Sequence, residues 1–383
     1  MSYGSAGENS KFRLLRRDSA NDSSPVRKNR GQAVFSSVAA SYNASMNTQD
    51  PMPSPLPVLE AINAFQKTYV IKAAVDLDLF TMIDGGAGTA AQVAAACGVA
   101  ERGARILCNH LVILGFLTKT GDQFGLTPTA KMFLSRKSPA YMGSITTFML
   151  SPTIAEGFGN LTQAVRKGGT AIPQDGTLAP EHDVWTTFAR AMAPMMAMPA
   201  EQLASVVLAH KNGPISVLDI SAGHGLYGLA FARQNAEAQV TGLDWANVLT
   251  VAKENAARMG LADRYDTIAG SAFDVPLGGP YDVVLLPNFL HHFDAPTCVK
   301  LLKKIKTALK PDGIVATMDF IPNDDRVSPP GAAGFALVML ASTPAGDAYT
   351  FTEYEQMFAE TGFSRSEWKT FDSQPYSIIL TTA

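Results

Sequence analysis

Two hydrophobic periodicities divide this chain. Near the start of its regular part, Leu59, Ile62, Phe65 and Tyr69 recur at the spacing of one helix face. Thr89 stands where an N-cap belongs, ahead of a short helix ending near Cys97-Gly98, and a second helix is expected over 101–114. Phe116-Leu117-Thr118-Lys119 and Gln123-Phe124-Gly125-Leu126 flank a Gly-Asp turn, which predicts a hairpin. Helix, turn, helix and hairpin together describe a winged helix over residues 55–140. Residues 141–210 predict two further helices joined by an irregular Gly- and Pro-rich link near 168–180.

Beyond residue 210 the pattern changes to short apolar runs separated by amphipathic stretches. Strands are expected near 215–221, 238–244, 265–270, 281–287 and 313–320, followed by two terminal strands at 364–371 and 376–382. Such alternation builds a parallel sheet with helices on both faces, so the class is α/β behind a mainly α-helical domain. Residues 1–50, rich in Ser, Asn, Gly and Arg and without periodicity, read as a disordered tail.

Composition narrows the function classes. The 383 residues are enough for two domains, and 46% hydrophobic content supports two sizeable cores. A net charge of −3 provides no general attraction to nucleic acid or anionic membrane. Cys97, Cys108 and Cys298 lie far apart, without metal-ligand spacing, which suits a reducing compartment. No run approaches the roughly 18 consecutive apolar residues of a membrane span. A cytoplasmic protein without membrane, nucleic-acid or metal partners is the expectation.

The candidate chemistry starts at Val217-Leu218-Asp219-Ile220-Ser221-Ala222-Gly223-His224-Gly225. An apolar strand enters a glycine-bearing turn, a helix follows, and Asp244 ends the next strand, the arrangement of a nucleoside site at the carboxyl edge of a parallel sheet. Gly223 and Gly225 let a ligand approach the backbone. Asp244 can accept hydrogen bonds from ribose hydroxyls, and Ser271, Ala272 and Phe273 stand where an adenine would be held. Trp245 and Asn288, beside two of these strand ends, complete the cofactor-binding set with Asp219 and Ser221. Gly223, Gly225 and Gly228 also meet the dinucleotide spacing, so that reading stays open on this loop alone.

The loop resembles the D-x-G-x-G-x-G element of class I S-adenosylmethionine (SAM)-dependent methyltransferases, with Ser221 in place of the first glycine. After the fourth strand, Leu290-His291-His292-Phe293-Asp294 is similar to the L-H-D-W-x-D region of small-molecule O-methyltransferases of the caffeic-acid and acetylserotonin type. The resemblance spans about residues 55–383 and implies a Rossmann-like class I sheet, SAM as cofactor, a role in secondary metabolism and a homodimer formed through the winged-helix domain. It makes His291 the general base, with His292 where the family has Asp. An imidazole titrates ordinarily near 6.5 and a phenol near 10, and a cationic sulfonium narrows that gap by favouring the phenolate. Asp319 corresponds to one family acid that orients the base. The second family acid falls on Ala348, with Asp347 one residue earlier as its substitute.

Phe148, Trp185, Phe188, Met192, Met195 and Met196, joined by Met339 after the fifth strand, form an aromatic and thioether-rich set fit for a flat, apolar, hydroxylated substrate. The domains expected are 55–140 for dimerisation, 141–210 as a helical linker contributing to the substrate pocket, and 211–383 for SAM binding and catalysis. Two other readings remain. One is a family member with altered chemistry, acting on carbon or nitrogen or not methylating at all. The other is a winged-helix DNA-binding regulator, against which the 101–114 helix offers only Arg102 and Arg105 as cations.

Overall fold

The computed structural model describes residues 53–173, 176–372 and 374–383; the expectations for residues 1–50 lie outside the described residues. Helix α1 (Leu56–Asp76) keeps Ala74 and Val75 buried, while Phe65 and Tyr69 on its outer face are exposed. Helices α2 (Leu79–Asp84), α3 (Ala90–Cys97) and α4 (Glu101–Ile113) follow. Thr89 caps α3 in a reciprocal box: its Oγ1 accepts from the Gln92 N–H at 3.2 Å, and Gln92 Oε1 accepts from the Thr89 N–H at 3.0 Å. Gly98 ends that helix at φ 66°. Strands β1 (Leu117–Thr120) and β2 (Gln123–Leu126) pair antiparallel, as the turn chemistry predicts, and α5 (Pro128–Phe133) follows. Phe80, Val93, Cys108, Leu111 and Leu117 form the core of this part.

The next stretch departs from expectation. Among the described residues of 141–210 there are four α-helices rather than two: α6 (Ile145–Met149), α7 (Pro152–Gly159), α8 (Leu161–Lys167) and α9 (Asp183–Leu208). Local caps cause the division. Ser151 Oγ accepts from the Ile154 N–H and Pro152 occupies the first helical turn, so α7 starts afresh; Asn160 then separates it from α8. Helix α9 runs through Pro194 and Pro199, against the usual cost of proline inside a helix. Its buried stripe explains the persistence: Met192, Met196, Ala200, Leu203, Ala204 and Val207 all enter the core over the sheet. Among the described residues α9 is the one helix long and apolar enough to cross a membrane, and that same stripe is the packed face of a core helix.

From here strands and helices alternate as the hydrophobic runs predict: β3 (Ser216–Ile220), α10 (Leu226–Gln234), β4 (Gln239–Asp244), α11 (Ala246–Arg258), β5 (Tyr265–Ala269), β6 (Tyr281–Pro287), α12 (Ala295–Ala308) and β7 (Leu309–Asp319). Two short helices, α13 (Pro330–Ala333) and α14 (Phe335–Ser342), precede α15 (Phe351–Glu360), β8 (Arg365–Lys369) and β9 (Ser377–Thr382). The seven strands form one sheet in the order β5-β4-β3-β6-β7-β9-β8, parallel except where β9 pairs antiparallel with β7 and β8. Every residue of β6 is buried, as its near-continuous apolar sequence requires of a strand covered on both faces. One face packs Leu203, Leu229 and Phe231; the other packs Leu302, Ile305, Tyr354 and Phe358. Chain order runs outward from β3 to β5 on one side and from β6 to β7 on the other. The carboxyl ends of β3 and β6 therefore flank a topological switch point, where open sheets hold ligands.

Leu203 is fully buried on α9. Leu203→Ala is expected to cost about 2–5 kcal/mol, read as a lowered denaturant midpoint, whereas Val165→Ala on the exposed face of α8 stays within about 0.5 kcal/mol. Equal midpoints for the two variants would contradict the docking of α9 on the sheet.

Candidate active site

The loop after β3 is built from unusual backbone. Ser221, Gly223 and Gly225 adopt φ values of 59°, 57° and 74°. Ser221 takes this left-handed conformation despite its side chain, at a cost of about 1–2 kcal/mol. Two buried carboxylates hold the loop. Asp219 Oδ2 accepts from the Gly228 N–H at 2.9 Å, fixing the first turn of α10 under the end of β3. Asp244 Oδ2 accepts from the Gly223 N–H at 2.8 Å, and its Oδ1 accepts from the Trp245 N–H at 2.7 Å. Burial pushes the Asp244 carboxyl up to about 6 against the lowering effect of those two N–H groups. Asp219, whose Oδ1 has no partner, is pushed to about 8 by burial, with the Asp244 charge adding to the rise.

A cavity of about 490 Å³ opens above this loop. Ser221, Gly223, Asp244, Trp245, Ser271, Ala272, Phe273 and Asn288, all expected at the cofactor, line it. Asp219 and Gly225 do not. A Cβ at Gly225 would lie 2.9 Å from both Ala252 Cβ and Tyr265 Oη, so this glycine serves helix packing, and Asp219 sits behind the loop it supports. Both were expected among the cofactor contacts; their place is one layer deeper. At Gly223 the reverse holds: a Cβ there would find only Ser221 O at 3.8 Å and Phe188 Cε1 at 4.0 Å. The missing side chain leaves a cradle for a ligand. A carboxylate with two of its acceptor positions taken beside an apolar slot of Ala272, Phe273 and Val248 fits a ribose and its base.

His291 follows β6 in a single 3₁₀ turn, and Asp319 ends the neighbouring strand β7. Their side chains meet at 2.6 Å, Nδ1 to Oδ1, with both residues almost wholly buried. Asp319 is an acceptor for every partner it has: its Oδ1 also accepts from the Phe320 N–H at 2.8 Å, and its Oδ2 accepts from Tyr354 Oη at 2.8 Å. The imidazole proton therefore sits on Nδ1, leaving Nε2 as a lone pair at the cavity wall. Asp347 does not join them. Its backbone N–H donates to the His291 carbonyl at 2.9 Å, but its carboxylate turns to Arg326 on the surface at 3.2 Å. The expectation that Asp347 supplies a second acid is corrected accordingly: the N–H fixes the residue one position too early and an exposed guanidinium takes its charge. Ala348 is buried where that acid would stand.

Phe148, Trp185, Phe188, Met192, Met195, Met196 and Met339 all line the same cavity. Phe148 and Trp185 meet Phe188 edge-on at 5.0 and 5.8 Å, and Phe320 stacks on Phe335 at 4.1 Å. Three residues went unrecognised in the sequence. His224, between the two glycines of the loop, is buried at the cavity; its Nδ1 accepts from the Leu226 N–H at 3.1 Å, and burial lowers its titration to about 4. Tyr227, one turn on, accepts a hydrogen bond from Asn288 Nδ2 at 3.2 Å. Tyr354 buttresses Asp319 from α15. His224 was visible as the odd residue within the glycine pattern, whereas nothing local marks Tyr354.

Comparison with known proteins bears on this geometry. Residues 176–364 match the model of an O-methyltransferase domain, and residues 59–136 match an O-methyltransferase dimerisation domain. A solved structure of a candidate O-methyltransferase from Nostoc punctiforme is 53% identical, superposes with a TM-score of 0.84, and covers 87% of this chain and 100% of its own. The 3-hydroxy-5-methyl-1-naphthoate 3-O-methyltransferase of Streptomyces sahachiroi is 29% identical over 78% of this chain and 86% of that protein. Human N-acetylserotonin methyltransferase, solved in complex with SAM, shares the fold at a TM-score of 0.76 and 22% identity, covering 88% of this chain and 99% of its own.

The raised Asp244 titration has a measurable consequence. The folded carboxyl keeps its proton up to about pH 6, while the unfolded one loses it near 3.9. Its contribution is thus full below about pH 4 and is lost as pH rises toward 6. The unfolding free energy of the wild type relative to Asp244→Asn, followed by denaturation without cofactor, should fall between pH 4 and 6.5 by on the order of 2–3 kcal/mol. A difference that grows with pH would contradict the burial of this group.

Proposed function

The chain belongs to the O-methyltransferase family, and we propose that it methylates a hydroxyl of a small aromatic molecule with His291 as the general base. The observation that carries this reading is the buried His291–Asp319 pair, which leaves one ring nitrogen free at the cavity. The donor is S-adenosyl-L-methionine, which supplies an electrophilic methyl group when bound.

The residues that would hold the donor are Gly223, Asp244 and Trp245, with Ser271, Ala272, Phe273 and Asn288 across the crevice. Asp244 would accept hydrogen bonds from the ribose, and Gly223 would let the amino-acid portion lie against the backbone. His291 Nε2 takes the proton of the acceptor hydroxyl. Asp319 then faces an imidazolium at Nδ1 and stabilises it, while Tyr354 and the Phe320 N–H keep the carboxylate in place. The aromatic and methionine walls exclude water and fit a flat ring, so much of the acceleration comes from positioning. The naphthoate named for the Streptomyces relative is a flat acceptor of this kind. Residues 55–140 would form a homodimer, 141–210 would wall the substrate pocket, and 211–383 would carry the donor and the base.

His291→Ala is expected to lower kcat by about 10²–10⁴-fold while the calorimetric Kd for S-adenosylhomocysteine stays within about twofold. Unchanged turnover removes His291 from the reaction. Asp244→Ala should weaken that Kd by roughly tenfold or more, since a charged acceptor of two hydroxyls is lost; an unaltered Kd refutes its place at the ribose.

A further inference from the structure

We propose that His292 selects acceptors whose reactive hydroxyl has a second oxygen on the neighbouring ring carbon, as in a catechol or an ortho-hydroxy carbonyl compound. The proposal rests on the reading of His291 as base and deepens it by naming the substrate class.

The two adjacent imidazoles have opposite hydrogen-bonding polarity. His291 gives its Nδ1–H to Asp319, so its Nε2 accepts. His292 Nδ1 is buried without any partner. A proton there would be an orphaned interior donor, which is rarer and costlier than an orphaned acceptor. The His292 proton therefore sits on Nε2, which no described residue engages, and the ring lines the cavity. Burial, reinforced by the neighbouring His291, holds this ring far below the usual histidine range, so it stays neutral. Its orientation is fixed by the edge of Trp185 at 5.2 Å, and Trp185 is itself pinned by a 2.8 Å bond from Nε1 to the Thr177 carbonyl.

The ring centroids of His291 and His292 are 4.3 Å apart, which sets a proton acceptor beside a proton donor. Their complement is a hydroxyl next to an oxygen lone pair. Two other polar groups at the wall have partners of their own: Asn288 donates to Tyr227, and Ser342 Oγ donates to the Val338 carbonyl at 2.7 Å. An isolated phenol would satisfy His291 and leave the His292 N–H unpaired once water is excluded, a loss that polar sites use to reject incomplete ligands. In an ortho-hydroxy carbonyl compound the internal hydrogen bond must open before the hydroxyl proton can leave. The His292 N–H competes for that carbonyl and frees the proton for His291.

The test is calorimetric binding of 2,3-dihydroxynaphthalene and 2-naphthol to the enzyme saturated with S-adenosylhomocysteine. The wild type should bind the diol about tenfold more tightly, beyond the twofold statistical factor of its two hydroxyls. His292→Phe should erase that preference by weakening the diol and not 2-naphthol, which no longer leaves an N–H unpaired, and His292→Gln, which keeps an N–H donor, should retain most of it. In turnover the effect should fall on KM rather than kcat. A diol bound no more tightly than 2-naphthol, or not bound at all, overturns the proposal, as does equal weakening of both probes by His292→Phe. Failure of the base reading shows separately, as His291→Ala turning over like the wild type while the wild-type preference in binding persists.

Discussion

The 2.6 Å hydrogen bond between His291 Nδ1 and Asp319 Oδ1 is the contact on which the site depends. It joins the carboxyl ends of two neighbouring strands, and their register, with Pro287 opposite Met318, sets the distance it must span. Both side chains are almost wholly buried, so loss of either partner would leave the other unpaired in the interior. Tyr354 extends the constraint to α15, and the 2.9 Å bond from the Asp347 N–H to the His291 carbonyl ties in the segment before that helix. The orientation of one imidazole is thus determined by the sheet and by two elements that come later in the chain.

Around this pair the fold keeps several features unfavourable in isolation. Ser221 and Asn288 both hold left-handed backbone at the ends of adjacent strands, where a ligand would lie. Asp219 and Asp244 are both buried near the glycine loop, and the charge on the second raises the titration of the first. Strain and buried charge collected at one sheet edge distinguish this loop from a turn that only connects β3 to α10.

Most of the architecture was legible because its causes are local. The alternation of apolar runs gave all seven strands of the large sheet, and Thr89 with Gly98 bounded a helix through cap chemistry that needs no tertiary information. Residues 141–210 were misread because a cap such as Ser151-Pro152 can restart a helix inside an apparently continuous apolar pattern, and because packing held α9 together across two prolines. The lining of the site followed from strand ends and aromatic clusters. Depth did not: sequence spacing cannot tell Gly223, which faces the cavity, from Gly225, which faces Ala252. Tyr354 and the misplaced Asp347 show the same limit, since each depends on which way a side chain turns after a long connection.

The central claim is that His291 carries its proton on Nδ1 and presents a bare Nε2 to the cavity. Nitrogen-15 NMR of histidine-labelled protein at neutral pH, with His291 assigned by comparison with a His291→Gln variant, reads this directly. The expected result is an N–H-type shift for Nδ1 with a low-field proton bound to Asp319, and an unprotonated shift for Nε2. A proton found on Nε2, with Nδ1 bare, would contradict it.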